Sequence, residues 1–276
     1  MKSTFKHLLA SLALGASTQL TATVVSTDFN DLAVGELRPD PKRAPAVASG
    51  QGFATPTWMT GSGIPRIVPG DLAAPASTGY ALKQSGTPRS FQALKYKVED
   101  ATDRRQGRAL ATKLTGTVWL SFLVKNADAN QAVSLDFNAA PQQFSAPQPT
   151  RIVVEGADVR IYNAAKIKSG EVVGAVTPGQ TALILVRIDI AAAKNGKNDQ
   201  ISLWVNPTLA RTPEELAKPQ LRLLDTGFIG SSRAISTLGI ASYDLRTGAN
   251  QVGGVLDAVT LADGPDGYAA VTGLRP

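Results

Sequence analysis

The side chains best placed to hold a ligand are Arg187, Trp204 and Asn206, on two apolar runs near residues 182–190 and 200–205. In an extended chain alternate residues share a face. Ala182, Ile184, Val186 and Ile188 then fall on one side of the first run, with Leu183, Leu185, Arg187 and Asp189 on the other. The second run divides into Ile201, Leu203 and Val205 against Ser202, Trp204 and Asn206. An indole stacks on flat apolar rings, while a guanidinium and a carboxamide hydrogen-bond hydroxyl groups. Arg187 and Asp189 also satisfy the pattern of a simple surface ion pair, which contributes little.

Other chemistry is excluded by composition. The chain has no Cys, and its one His is His7. Met1–Ala22 has a basic start at Lys2 and Lys6, a short apolar run at Leu8–Leu14 and a small, polar end. This is the pattern of a secretory signal peptide, and the run is too short to cross a bilayer. Cleavage after Ala22 would leave residues 23–276 as an exported, single-domain protein with neither His nor Cys. Ser-His-Asp and Cys-His triads, Cys/His zinc sites and disulfides are then excluded. Removing Lys2 and Lys6 takes the 28 Lys and Arg to 26 against 22 Asp and Glu. So mild and scattered an excess gives no reason to expect nucleic acid as a partner, and no later apolar run is long enough for membrane insertion.

The elements that must position these residues are strands. Lys194-Asn195-Gly196-Lys197 separates the two apolar runs, and Asn-Gly is a strong hairpin signal because both residues tolerate positive φ. Further strand-like runs are Val24–Phe29, Gly79–Gln84, Arg89–Lys97, Ala109–Leu114, Thr117–Lys125 and Gln131–Phe137. Arg151–Val154, Val159–Tyr162, Glu171–Ala175, Leu221–Leu224, Ala234–Ala241 and Gly254–Leu261 continue the pattern. Residues 40–78, rich in Pro, Gly, Ala and Ser, read as a long irregular loop. Thr212–Ala217 is the one good helix start, with Pro213 in its first turn. Many short strands and almost no helix predict an all-β sandwich or barrel.

The order of these pieces resembles the concanavalin A-like (laminin G-like) jelly-roll domains of exported bacterial proteins. The residues carrying the likeness are Ser26–Leu32, Gly52–Trp58, Thr115–Val124, Ile184–Ile190, Asp199–Thr208, Leu256–Asp263 and Gly267–Gly273. The resemblance implies two curved antiparallel sheets with the first and last strands adjacent. It also implies a structural calcium ion on the convex side, for which Asp28, Asp31 and Asp257 supply the hard oxygen atoms required. The fold hosts lectins, hydrolases, lyases and adhesive modules alike. The expectation is binding of a polysaccharide or cell-surface glycan on the concave face, with Trp204 stacking and Arg187 and Asn206 hydrogen-bonding. The alternatives are a His-free lyase or hydrolase and a structural surface protein. The Glu-x-Asp-x-x-Glu spacing of hydrolases with this fold does not occur; Glu155 and Asp158 are the nearest carboxylates, and the residues around Asp158 read as a turn. Tyr162, Tyr243 and Arg187 are the groups available to a lyase.

Overall fold

A computed structural model describes residues 22–36, 50–54, 59–60, 64–84, 86–95, 105–138, 150–162, 171–174, 176–191, 198–229, 232–246 and 251–274. The expected leader and the Asn195-Gly196 turn lie outside the described residues, apart from Ala22. The strands are β1 (Val24–Thr27), β2 (Gly35–Glu36), β3 (Met59–Thr60), β4 (Ile64–Pro69), β5 (Arg89–Lys95) and β6 (Arg105–Leu114). Then come β7 (Thr117–Lys125), β8 (Gln131–Phe137), β9 (Arg151–Glu155), β10 (Asp158–Tyr162), β11 (Glu171–Gly174) and β12 (Ala182–Asp189). β13 (Asp199–Val205), β14 (Leu221–Thr226), β15 (Ile235–Asp244), β16 (Gln251–Val252) and β17 (Val255–Asp263) precede a short helix, α1 (Gly267–Thr272).

These strands make two sheets. A ten-stranded sheet runs β14-β13-β12-β7-β17-β5-β4-β2, with β1 beside β17 and β16 beside β5. A seven-stranded sheet runs β11-β10-β9-β8-β15-β6-β3. Every pairing is antiparallel. The first and last strands adjoin, Val24 opposite Ala262 and Thr27 opposite Val259. The hairpin of β12 and β13 forms in the register the alternation requires, Ile184 opposite Val205 and Ile188 opposite Ile201.

Period-two alternation places one apolar set from each sheet in the space between them. Val118, Leu120, Phe122 and Val124 of β7 and Ile184, Val186 and Ile188 of β12 meet Val133, Leu135 and Phe137 of β8 and Leu238 and Ile240 of β15, all buried. Ring pairs brace this core at Phe29–Phe91 and Phe137–Phe228, 5.7 and 5.4 Å between centroids. Burial on this scale replaces disulfides as the source of stability.

Three local expectations are corrected. β4 lies inside the stretch read as irregular, because Ile67 faces the core despite the flanking prolines and pairs with Phe91. Gly79–Gln84 is not a strand. Gly79 sits at φ 69°, and the chain beyond it crosses the outer face of the ten-stranded sheet, where Ala81 N–H donates to the Thr272 carbonyl. The expected helix at Thr212 is only a 3-10 turn, Pro213–Glu215, since Thr212 makes no side-chain cap and Leu216 turns extended.

Gly253 and Gly254 join β16 to β17 against the other sheet. A Cβ on Gly254 would lie 2.0 Å from Asn126 Oδ1 and 2.8 Å from Val133 Cγ2. Asn126 cannot yield freely, because its Nδ2 donates to the carbonyls of Val154 and Gly156. Gly254→Ala is therefore expected to lower unfolding free energy by about 1–3 kcal/mol through overpacking; urea titration with an unchanged midpoint would contradict this.

Candidate functional site

Trp204 is 6% exposed and belongs to a second apolar cluster with Trp119, Leu185, Tyr268 and Val271 on the outer face of the ten-stranded sheet. Its ring stacks on Trp119, 5.9 Å between centroids at 25°, and its indole N–H donates to the Ala217 carbonyl at 2.7 Å. Tyr268 of α1 meets Trp119 edge-on. The expectation of Trp204 as an open stacking platform is thus corrected: α1 and the segment after β13 cover this face. Asn206 is corrected too. It sits just past β13 at φ 49°, so alternation no longer applies, and its Oδ1 accepts the Leu183 N–H at 2.8 Å. Arg187 is partly exposed and donates through Nε to Asp189 at 2.9 Å, the plain ion pair that its spacing allowed. Arg187 and Trp204 do share the lining of a cleft of about 340 Å³, rimmed by Lys218 and Arg222; Asn206 is not in it.

The three carboxylates considered for calcium do not form one ligand set. Asp28 and Asp31 line a groove of about 680 Å³ beside β1, together with Ser26, Lys83 and Gln84. Asp28 Oδ1 accepts the Asn30 N–H, a turn-capping contact. Asp257 is fully buried, and its two oxygens accept the N–H groups of Leu72 and Ala258 at 2.8 and 2.7 Å. Among the described residues no three acidic or histidine side chains gather to hold a metal ion, whereas calcium takes about six to eight oxygen ligands. Burial, and secondarily Asp71, pushes the Asp257 carboxyl up to about 7 despite these hydrogen bonds and one from Gln84. A carboxyl held this way anchors the 71–84 segment to β17.

A further set of polar groups lies on the outer face of the seven-stranded sheet. Ile152 and Val154 of β9 and Val159 and Ile161 of β10 point into the core. Arg151, Val153 and Glu155, and Asp158, Arg160 and Tyr162, therefore point outward. Register sets them in rows: Tyr162 opposite Arg151, Arg151 opposite Asp136, and Asp136 opposite Gly239. The next row is Arg160, Val153, Ser134 and Ala241; the one beyond it is Asp158, Glu155, Ala132 and Tyr243. Ala132, Val153, Ala241 and Tyr243 make a buried apolar floor, and Tyr162 packs against it.

Each charged group here has a distinct setting. Arg160 Nη2 donates to Asp158 at 2.7 Å, and its Nε lies 3.7 Å from Glu155. Ser134 Oγ donates to Asp136 Oδ1 at 2.5 Å. The Arg151 guanidinium lies over the Tyr162 ring, 4.4 Å from its centroid, and its buried Nε has no hydrogen-bond partner. Two primed-turn residues, Gly156 and Ala157, join the strands, with Gly156 at φ 57° where a Cβ would meet the Ala129 carbonyl oxygen at 2.8 Å. The turn expected around Asp158 is therefore present, and it brings Glu155 and Asp158 directly opposite each other.

The alternation of Arg151–Glu155 and Asp158–Tyr162 was a readable signal for this face. Asp136 was not readable, since only its cross-strand register puts it beside Arg151. Of the groups named for a lyase, Tyr162 and Tyr243 share this face, while Arg187 lies on the other sheet.

Two packed antiparallel sheets with adjoining terminal strands define the chain as a concanavalin A-like jelly-roll β-sandwich. No protein-family model and no curated protein sequence matches it. Among solved structures it is similar to alginate lyase Aly36B, with a TM-score of 0.48 and 10% identity, covering 88% of this chain and 97% of that one. It is also similar to a GH131 β-glucanase catalytic domain from Podospora anserina, with a TM-score of 0.46, 13% identity and coverage of 80% and 88%. Peanut lectin, in complex with a nine-residue peptide, has a TM-score of 0.40 and 9% identity, with coverage of 87% and 97%. These likenesses concern the fold alone.

Proposed function

We propose that this protein binds a glycan chain laid across the outer face of its seven-stranded sheet. The supporting observation is the Arg151–Tyr162 pair, a flat cation on an aromatic ring with its Nε unpartnered. Sugars offer apolar ring faces to aromatics and hydroxyl groups to charged hydrogen-bonding partners. Tyr162 and Arg151 stand opposite each other on adjacent strands, about 4.8 Å apart, so the aromatic and the charged group can meet neighbouring parts of one sugar chain. An exported protein, as the N-terminal residues lead one to expect, would meet such polymers outside the cell.

Retention of the chain on immobilised polysaccharides tests the reading. The wild type is expected to be held by at least one polymer, and Tyr162→Ala to weaken retention about tenfold, the scale of one lost aromatic or charged contact. Equal retention of the variant, with an unchanged melting temperature, would contradict the proposal.

A further inference from the structure

The charges on this face are unevenly satisfied, and the imbalance identifies the class of glycan; the inference rests on the glycan-binding reading. Its carboxylates are engaged from within the protein. Asp158 and Glu155 flank Arg160, and Asp136 accepts from Ser134. Arg151 is the exception. Asp136 stands opposite it in the register, yet the Arg151 Nε has no hydrogen-bond partner and the guanidinium rests on the Tyr162 ring instead.

The setting of Arg151 is that of a receiver. Packing on Tyr162 fixes the plane of the guanidinium, so less side-chain freedom is lost when a ligand arrives. A half-buried cation without a partner is unfavourable, and a ligand that supplies one gains accordingly. A hydroxyl can take one hydrogen bond from it. A carboxylate takes two parallel ones and neutralises the charge, the stronger interaction by about twofold per bond. We infer that the glycan carries carboxylate groups, a uronate-containing polymer, and that Arg151 receives one of them while stacked on Tyr162.

The test compares the full chain's affinity for polygalacturonate and polymannuronate oligomers with that for their methyl esters and for neutral β-glucan oligomers, by calorimetry at fixed salt. The wild type should bind a free acid at least about tenfold more tightly than its ester, as expected for a charged hydrogen-bonding pair. Arg151→Gln should abolish that preference, and Arg151→Lys, which keeps the charge but loses the fork, should restore it in part. Tyr162→Phe, which keeps the stack, should leave it intact. A neutral or esterified glycan bound as well as the acid would overturn the uronate assignment while leaving glycan binding in place. An acid preference unchanged by Arg151→Gln, in a variant with wild-type melting, would also overturn it. Absence of binding to every oligomer would remove the glycan reading and this inference together.

Discussion

Trp204→Ala is expected to lower the unfolding free energy by about 3–5 kcal/mol, the range for deleting a large buried aromatic. The indole fills the space between Trp119 and the segment after β13 and satisfies the Ala217 carbonyl. Removing it leaves a void beneath α1 and an acceptor without its donor. Trp204→Phe should keep most of the packing but still lose about 1 kcal/mol for the missing N–H. Chemical denaturation of the three chains measures both. A loss under about 1 kcal/mol for the alanine variant would mean that the ring carries little of the packing in this cluster.

The second large effect concerns pH. Asp257 is held up to about 7 in the folded chain, against 3.8 for an ordinary Asp. Below about pH 4 both folded and unfolded chains carry the proton, so nothing is lost. Between about pH 4 and 7 the folded chain keeps a proton that the unfolded chain has released. Stability from this group therefore falls as pH rises through that window, and the loss is complete above about pH 7. At about 1.4 kcal/mol per pH unit the fall approaches roughly 4 kcal/mol. Asp257→Asn stays neutral, so its unfolding free energy should vary much less between pH 4.5 and 8. Equal slopes in variant and wild type would show that other groups set the pH dependence.

Both residues mark where the sequence is readable and where it is not. Alternation along β7, β12 and β13 identifies the buried face because hydrophobic burial requires period two in a half-covered strand. It cannot tell whether the opposite face is bare or covered. Trp119, Leu185 and Trp204 have the pattern of a mixed outer face, yet Tyr268 and Val271 cover them from a helix at the far end of the chain. The helix itself was hidden, because Tyr268-Ala269-Ala270-Val271 is too short for a helical period to show. Asn206 escaped because one residue of positive φ ends the alternation. Asp257 was legible as a strand carboxylate. Its burial depends on the segment that crosses the outer face beside Leu123 and on the N–H of Leu72, a contact spanning 185 residues. Arg151, Arg160 and Tyr162 were legible as a polar stripe, and the Gly156 turn fixed their register.

Ligand is expected to meet the seven-stranded sheet and not the ten-stranded one. Affinity electrophoresis of wild type, Arg151→Ala and Arg187→Ala in gels containing one retained polysaccharide separates the two faces. Both arginines are partly exposed, and neither lies in the core, so both variants should fold. Arg151→Ala should migrate as if the polymer were absent, while Arg187→Ala should stay retarded like the wild type. Retardation lost in Arg187→Ala and kept in Arg151→Ala would place the ligand in the Arg187–Trp204 cleft and contradict it.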